Sequence, residues 1–238
     1  IFAVSSVTLF VAFFFSFFLG SALHVVKKDD NNSGIYVGDL FRNRNLMMLL
    51  GAIILVSAGA TTIWNFYSIY MKENGASASL VGFGISFQGF CELPFFYFSA
   101  LIIHRLGVRA TLLLTVFATA VRLFLYTMVK DPAFAIFIEV LHGISWSLFW
   151  VVCVESVNRL VPEQWRATGQ SMLYASYFGI GAIAGNFWTG YLYDEHLSIS
   201  DIFLLNAFIV AGIGGAMMLL LKTKSFSAEC TTIKPGSL

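Results

Sequence analysis

The sequence predicts an all-α integral membrane fold of about seven spanning helices, and three observations carry that prediction. The 238 residues are 58% apolar and only 11% charged, with a mean hydropathy of +0.80, whereas a soluble domain carries about 25% charged residues. Seven runs are each apolar and long enough to cross roughly 30 Å of hydrocarbon, which takes about 20 residues of helix. These runs are continuous, unlike the short alternating segments of a barrel, the other architecture that satisfies every backbone group in lipid. The net charge of +1 lacks the clustered basic excess of a nucleic-acid binder, so no nucleic-acid partner is expected.

The first run, residues 1–26, has neither the basic start nor the small-residue cleavage site of a signal peptide. It reads as a spanning helix, and the chain as one cut from a longer protein. Residues 27–45 follow as a cytoplasmic central loop, with Lys27, Lys28, Arg42 and Arg44. The remaining spans, 46–71, 80–103, 110–129, 132–157, 167–192 and 202–221, form a six-helix bundle over 46–221, and 222–238 is a cytoplasmic tail.

The connections orient the bundle. Eleven basic residues lie on one set of connections, Arg105, Arg109, Arg159 and Arg166 among them, against Lys72 and Lys130 on the other. That bias places the first set and the C-terminus in the cytoplasm, with the plasma (inner) membrane as the expected location. Asn31-Asn32-Ser33 matches a glycosylation sequon on the side where it goes unused. Tyr67, Tyr70, Tyr126, Trp188, Tyr191 and Tyr193 cluster near the outer helix ends, as an interfacial aromatic belt does.

Cys91, Cys153 and Cys230 are too few and scattered for a disulfide framework or a zinc site, and no metal or cofactor is expected. A G-x-S-x-G elbow, an H-E-x-x-H pair and a P-loop are all absent from the sequence, which argues against an enzyme. Gly181 and Gly185, a small-xxx-small pair, read as a helix-packing face, as do Gly212, Gly214, Gly215 and Ala216.

Ionisable groups inside the spans are therefore the informative ones. Glu92 lies on the third span, Arg122 on the fourth, and Glu139 and His142 on the fifth. At about 1.5 Å per residue all four fall within roughly one to two turns of the midplane. Charge in hydrocarbon persists where it is paired or lines a wet cavity, so three helices presenting opposite charges at one depth suggest one site. Two carboxylates and one guanidinium sum to −1, and a single proton neutralises them. Arginine keeps its own proton, so a carboxylate that alternates between Arg122 and a proton fits a coupling site. The competing reading is a structural ion pair that fixes helix register.

Polar and aromatic residues repeat around this level at helical spacing: Thr115, Thr119, Arg122 and Tyr126; Glu139, His142, Trp146 and Trp150; Gln170, Tyr174 and Tyr177. With Asn65 and Gln88, the residues Tyr126, Trp146, Tyr174 and Tyr177 are the substrate-binding candidates. Pro94 deprives the third span of a backbone bond and is expected to kink it.

Two short motifs carry a family resemblance. The loop His104-Arg105-Leu106-Gly107-Val108-Arg109 resembles the R-x-G-x-R/K loop of the major facilitator superfamily, and Pro162-Glu163-Gln164-Trp165-Arg166-Ala167-Thr168-Gly169-Gln170-Ser171 resembles its entry to the eleventh helix. The spacing of Arg122 and Leu141-His142-Gly143 is similar to the lactose-permease-like branch. That branch carries a carboxylate one turn after the histidine, where this chain has Ser145; the acid here is Glu139, one turn before. The resemblance implies that the spans are helices six to twelve of twelve, with a missing N-terminal half as partner. It implies a secondary transporter, monomeric when complete, driven by the proton gradient, with Arg122 and His142 at the proton and sugar site. Arg105, Gly107, Arg109, Glu155 and Arg166 then form a cytoplasmic gate in which Arg105, Arg109, Arg166 or Arg159 pairs with Glu155 in one state, the competing reading being that these arginines only anchor the topology. The expected activity is proton-coupled symport of a neutral polar solute, an oligosaccharide or nucleoside. Proton-antiport efflux of amphipathic compounds, or a non-transporting receptor or scaffold, are the alternatives.

Overall fold

A computed structural model describes Phe10 and residues 37–220; the rest of the first span, residues 27–36 of the loop, and residues 221–238, the tail included, lie outside the described residues. Two units divide between Ile35 and Tyr36, and everything below concerns the second.

The end of the expected loop is helical. A short helix, α1 (Val37–Arg42), precedes α2 (Arg44–Glu73), and Asn43 sits between them as an N-cap. Its Oδ1 accepts from the backbone amides of Asn45 and Leu46, both at 3.1 Å, while its Nδ2 donates to the Leu160 carbonyl. Two of the unpartnered amides of a helix start are thereby satisfied. Ser77 caps α3 (Ala78–Leu106), which runs through Pro94 without a break. Only Gly107 separates α3 from α4 (Val108–Met128); its φ of +80 is a conformation that side chains with a Cβ rarely adopt, so the tight turn of the basic loop requires a glycine.

Asp131 and Pro132 start α5 (Pro132–Ile138). The fifth span then departs from the expected regular helix. Glu139–Leu141 is a 3-10 turn and Gly143–Leu148 a π-helical turn before α6 (Phe149–Leu160) resumes. The sixth span repeats the device: α7 (Arg166–Tyr174), a π segment Ala175–Gly181, and α8 (Ala182–Asp194). Such turns frequently mark functional positions. The last helix, α9 (Ile199–Leu220), lies against α4 and α2.

Among the described residues, five stretches are long and apolar enough to cross a membrane: Arg44–Glu73, Ala78–Leu106, Val108–Met128, Pro132–Leu160 and Ile199–Leu219. The stretch from Arg166 to Asp194 is as long but carries Gln170, Ser176, Asn186 and Thr189. Gln170, Asn186 and Thr189 find hydrogen-bond partners on other helices of the bundle. Thr62 Oγ1 and Thr189 Oγ1 lie 2.8 Å apart and Asn206 Nδ2 donates to Thr62 Oγ1 at 2.7 Å, a buried clasp joining α2, α8 and α9.

The glycine pair packs as expected. A Cβ on Gly181 would meet the Ile54 carbonyl at 2.8 Å, and one on Gly185 the Ala58 backbone at 2.9 Å, so α2 and the sixth span touch through their backbones. Gly214 faces Phe117 and Val116, but Gly212 and Gly215 have nothing within 4 Å, which removes them from the packing face. The aromatic belt also needs correction. Trp188, Tyr191 and Tyr193 are exposed, whereas Tyr67, Tyr70 and Tyr126 are buried in the bundle. Tyr70 donates to the carbonyls of Tyr126 and Val129, satisfying the end of α4.

Candidate functional site

The site begins at a close approach of two helices. A Cβ on Gly143 would strike the Phe95 ring and come within 2.6 Å of the Cys91 carbonyl oxygen. The glycine thus lets α3 lie directly on the irregular part of the fifth span. That contact brings Gln88 and Glu92 of α3 to His142, while α4 presents Arg122 and Tyr126 from the other side.

The four charged candidates form one ladder. Arg122 Nη2 donates to Glu139 Oε2 at 2.5 Å, with both side chains buried. Tyr126 donates its hydroxyl proton to Glu139 Oε1 and accepts from Arg122 Nη2 at 3.3 Å. Arg122 Nη1 donates to His142 Nδ1 at 2.6 Å. Because a guanidinium only donates, Nδ1 must be the unprotonated ring nitrogen and the imidazole proton sits on Nε2. Nε2 then donates to Glu92 Oε1 at 2.8 Å. The Gln88 amide nitrogen lies 2.9 Å from Nδ1 and 3.1 Å from Nε2.

The two carboxylates differ. Both oxygens of Glu139 receive donors and its side chain is fully buried, so it stands as a carboxylate locked by Arg122 and Tyr126. Glu92 receives one donor on one oxygen, its other oxygen has none among the described residues, and its side chain is 23% exposed. The ladder therefore has a sealed end and an open end.

The substrate candidates distribute unevenly. Tyr126 and Gln88 are buried and committed to the ladder. Trp146 lies among Trp64, Trp150 and Tyr177, and Tyr174 stands half exposed against Trp150 and Phe178. Asn65 and Tyr177 line a cleft of about 190 Å³ with Thr61, Trp64, Phe178 and Ala182. Asn65 Nδ2 donates to Asn186 Oδ1 at 2.7 Å.

Trp64 was not visible as a site residue in the sequence, where it is one aromatic in an apolar run. Its ring meets His142 at 5.3 Å and Trp146 at 5.0 Å, edge to face in both cases. The only signal for it was its place beside Asn65, the polar residue of its span.

Of the arginines read as partners of Glu155, Arg159 pairs with it, and no ion pair joins Glu155 to Arg105, Arg109 or Arg166 among the described residues. Glu155 accepts from Arg159 Nε at 2.7 Å, one turn along the same helix. Arg166 reaches Glu163 at 3.8 Å, and Arg109 donates to the Met218 carbonyl at 3.4 Å. Arg105 is exposed, with no ion pair among the described residues. Glu155 is paired within its own helix and Arg166 with the 3-10 turn just before its helix, and the Arg109–Met218 contact ties α4 to α9.

Comparisons with known proteins agree with this architecture. The MFS_1 like family model matches residues 1–205. The chain is 25% identical over 203 residues to the uncharacterized transporter YwbF of Bacillus subtilis (strain 168), covering 83% of this chain and 50% of the relative. It is 27% identical over 188 residues to the maltose permease of Geobacillus stearothermophilus, covering 79% and 47%. The fold matches a crystal structure of the nucleoside transporter NupG (D323A mutant) with a TM-score of 0.72 at 17% identity, covering 84% of this chain and 55% of that one. The chain spans about half the length of the curated relatives it matches. A helical bundle of membrane-spanning length, with this match across most of its residues, belongs to the MFS_1 like family of major facilitator transporters.

Proposed function

We propose that the complete transporter is a proton-coupled symporter of a neutral polar solute, an oligosaccharide or nucleoside-like compound, and that a second half of similar size completes it. The C-terminus lies in the cytoplasm, and the driving force is the proton gradient rather than a bound cofactor. The observation that carries the reading is the asymmetry of the carboxylates. With Arg122 and Glu139 compensating each other and His142 neutral, the remaining charge of the ladder is the single negative one on Glu92, and one proton there makes the whole site neutral. Arg122 holds its proton, so Glu92 is the loading group and His142 relays its state to the sealed pair. A purely structural ion pair has no need of an open carboxylate at its edge. The maltose permease among the relatives supports a sugar-like solute.

The test uses membrane vesicles holding the full-length transporter, with radiolabelled maltose and uridine as probes and an imposed pH gradient. The reading expects accumulation that collapses with an uncoupler and is abolished by Glu92→Gln. Uncoupler-insensitive uptake, or accumulation by Glu92→Gln equal to wild type, overturns it. Export in place of import selects proton-antiport efflux.

A further inference from the structure

We infer that the cleft between α2 and the sixth span is a solute-binding site for a flat, polar ring, with Trp64 as its platform and the Asn65–Asn186 amide pair as its polar clamp; the inference rests on the symporter reading above. Four observations lead to it. First, the cleft of about 190 Å³ is bounded by aromatic side chains, Trp64, Tyr177 and Phe178, with Thr61 and Asn65 supplying polar atoms. A ring with one apolar face and polar edges is what such walls accept.

Second, the amide pair is half satisfied. One bond joins Asn65 Nδ2 to Asn186 Oδ1. Asn65 Oδ1, an acceptor, and Asn186 Nδ2, a donor, have no partner among the described residues. Neighbouring ring hydroxyls, each able to donate and accept, or the amide edge of a nucleobase, complement this pair. A simple apolar compound does not, because it would leave both groups unpaired.

Third, the pair is deep. Asn65 and Asn186 stand equally far before the ends of their helices at Glu73 and Asp194, about 12 Å along each axis. Amides with unmet hydrogen bonds at that depth call for water or a polar occupant rather than acyl chains.

Fourth, the platform touches the ladder. Trp64 is 46% exposed and lines the cleft, yet its ring meets that of His142, which also contacts Gln88, Arg122 and Glu92. A solute stacked on Trp64 therefore bears on the residue that links the open carboxylate to the sealed pair. Trp146, on the π turn next to His142, contacts both Trp64 and Tyr177, so it closes the circuit from cleft wall to ladder.

The test is exchange of radiolabelled maltose and uridine across vesicles bearing the full-length transporter, at equal pH on both sides, so that no proton gradient takes part. Trp64→Leu and Asn186→Leu should each raise the half-saturating concentration of whichever probe exchanges by about tenfold, and Trp64→Phe, which keeps a ring, by about threefold or less. Because Trp64→Leu can also disturb packing, Asn186→Cys gives a second readout. In an otherwise cysteine-free background a maleimide should modify it, and the exchanging probe should slow that reaction. Wild-type exchange constants in both leucine variants, or labelling of Asn186→Cys that no probe slows, overturns the cleft. If the leucine variants behave as wild type while accumulation still collapses with an uncoupler, only the cleft falls. If neither probe exchanges or accumulates in wild type, the symporter reading falls with it.

Discussion

Glu139 shows how one buried carboxylate organises its surroundings. It takes a proton donor on each oxygen, one from Arg122 and one from Tyr126, and its side chain is wholly enclosed. Glu139→Gln leaves Arg122 without its counter-charge and should cost about 3–5 kcal/mol, whereas the double change Arg122→Met with Glu139→Leu should recover most of that loss. Unfolding of the purified full-length transporter in detergent, followed as a four-member cycle, measures it; a double variant no better than the single would show that the pair is not the unit. Tyr126→Phe deletes one donor and should cost about 1–3 kcal/mol by the same measurement. These residues were legible because charge is conspicuous in an apolar run and helical rise fixes its depth. The pairing was not legible in detail: nothing in the spacing says that Tyr126 serves Glu139 instead of a solute, since a hydroxyl at that depth suits either. Trp64 escaped for the opposite reason, because an aromatic in lipid-like sequence carries no charge to mark it.

At the scale of helices, the irregular turns matter most. The 3-10 turn at Glu139–Leu141 and the π turn at Gly143–Leu148 rotate consecutive side chains away from a regular 3.6-residue course, so His142 meets α3 and α4 together. Hydropathy reads the same through a π turn as through an α turn, and the span's existence was therefore plain while its break was hidden. Gly143 is the hint the sequence does hold. Gly143→Ala drives a methyl into the Phe95 ring and the Cys91 carbonyl and should cost about 1–3 kcal/mol, lowering proton-coupled accumulation as α3 moves Glu92 off His142. Gly212→Ala, with open space around it, should change stability by about 0.5 kcal/mol or less and serves as the matched control in the same detergent unfolding series. Equal losses in both would mean that helix glycines matter here through backbone freedom and not through close approach.

On the scale of the whole chain, the spans and their order followed from run lengths alone, and the described helices reproduce six of the seven expected spans. Orientation rests on a separate argument, the basic bias of alternate connections, and under the proposed symport it decides from which side Glu92 is loaded. Four exposed connection residues test it. Lys130 and Glu195 belong to the connections poor in basic residues, and Arg105 and Glu163 to the rich ones. In a cysteine-free background of the full-length transporter, Lys130→Cys and Glu195→Cys should react with a membrane-impermeant maleimide in intact cells. Arg105→Cys and Glu163→Cys should react only after permeabilisation. The reverse pattern would turn the bundle over and put the eleven basic residues outside, in which case the pH gradient in the uptake test must be imposed with the opposite sign for Glu92 to load.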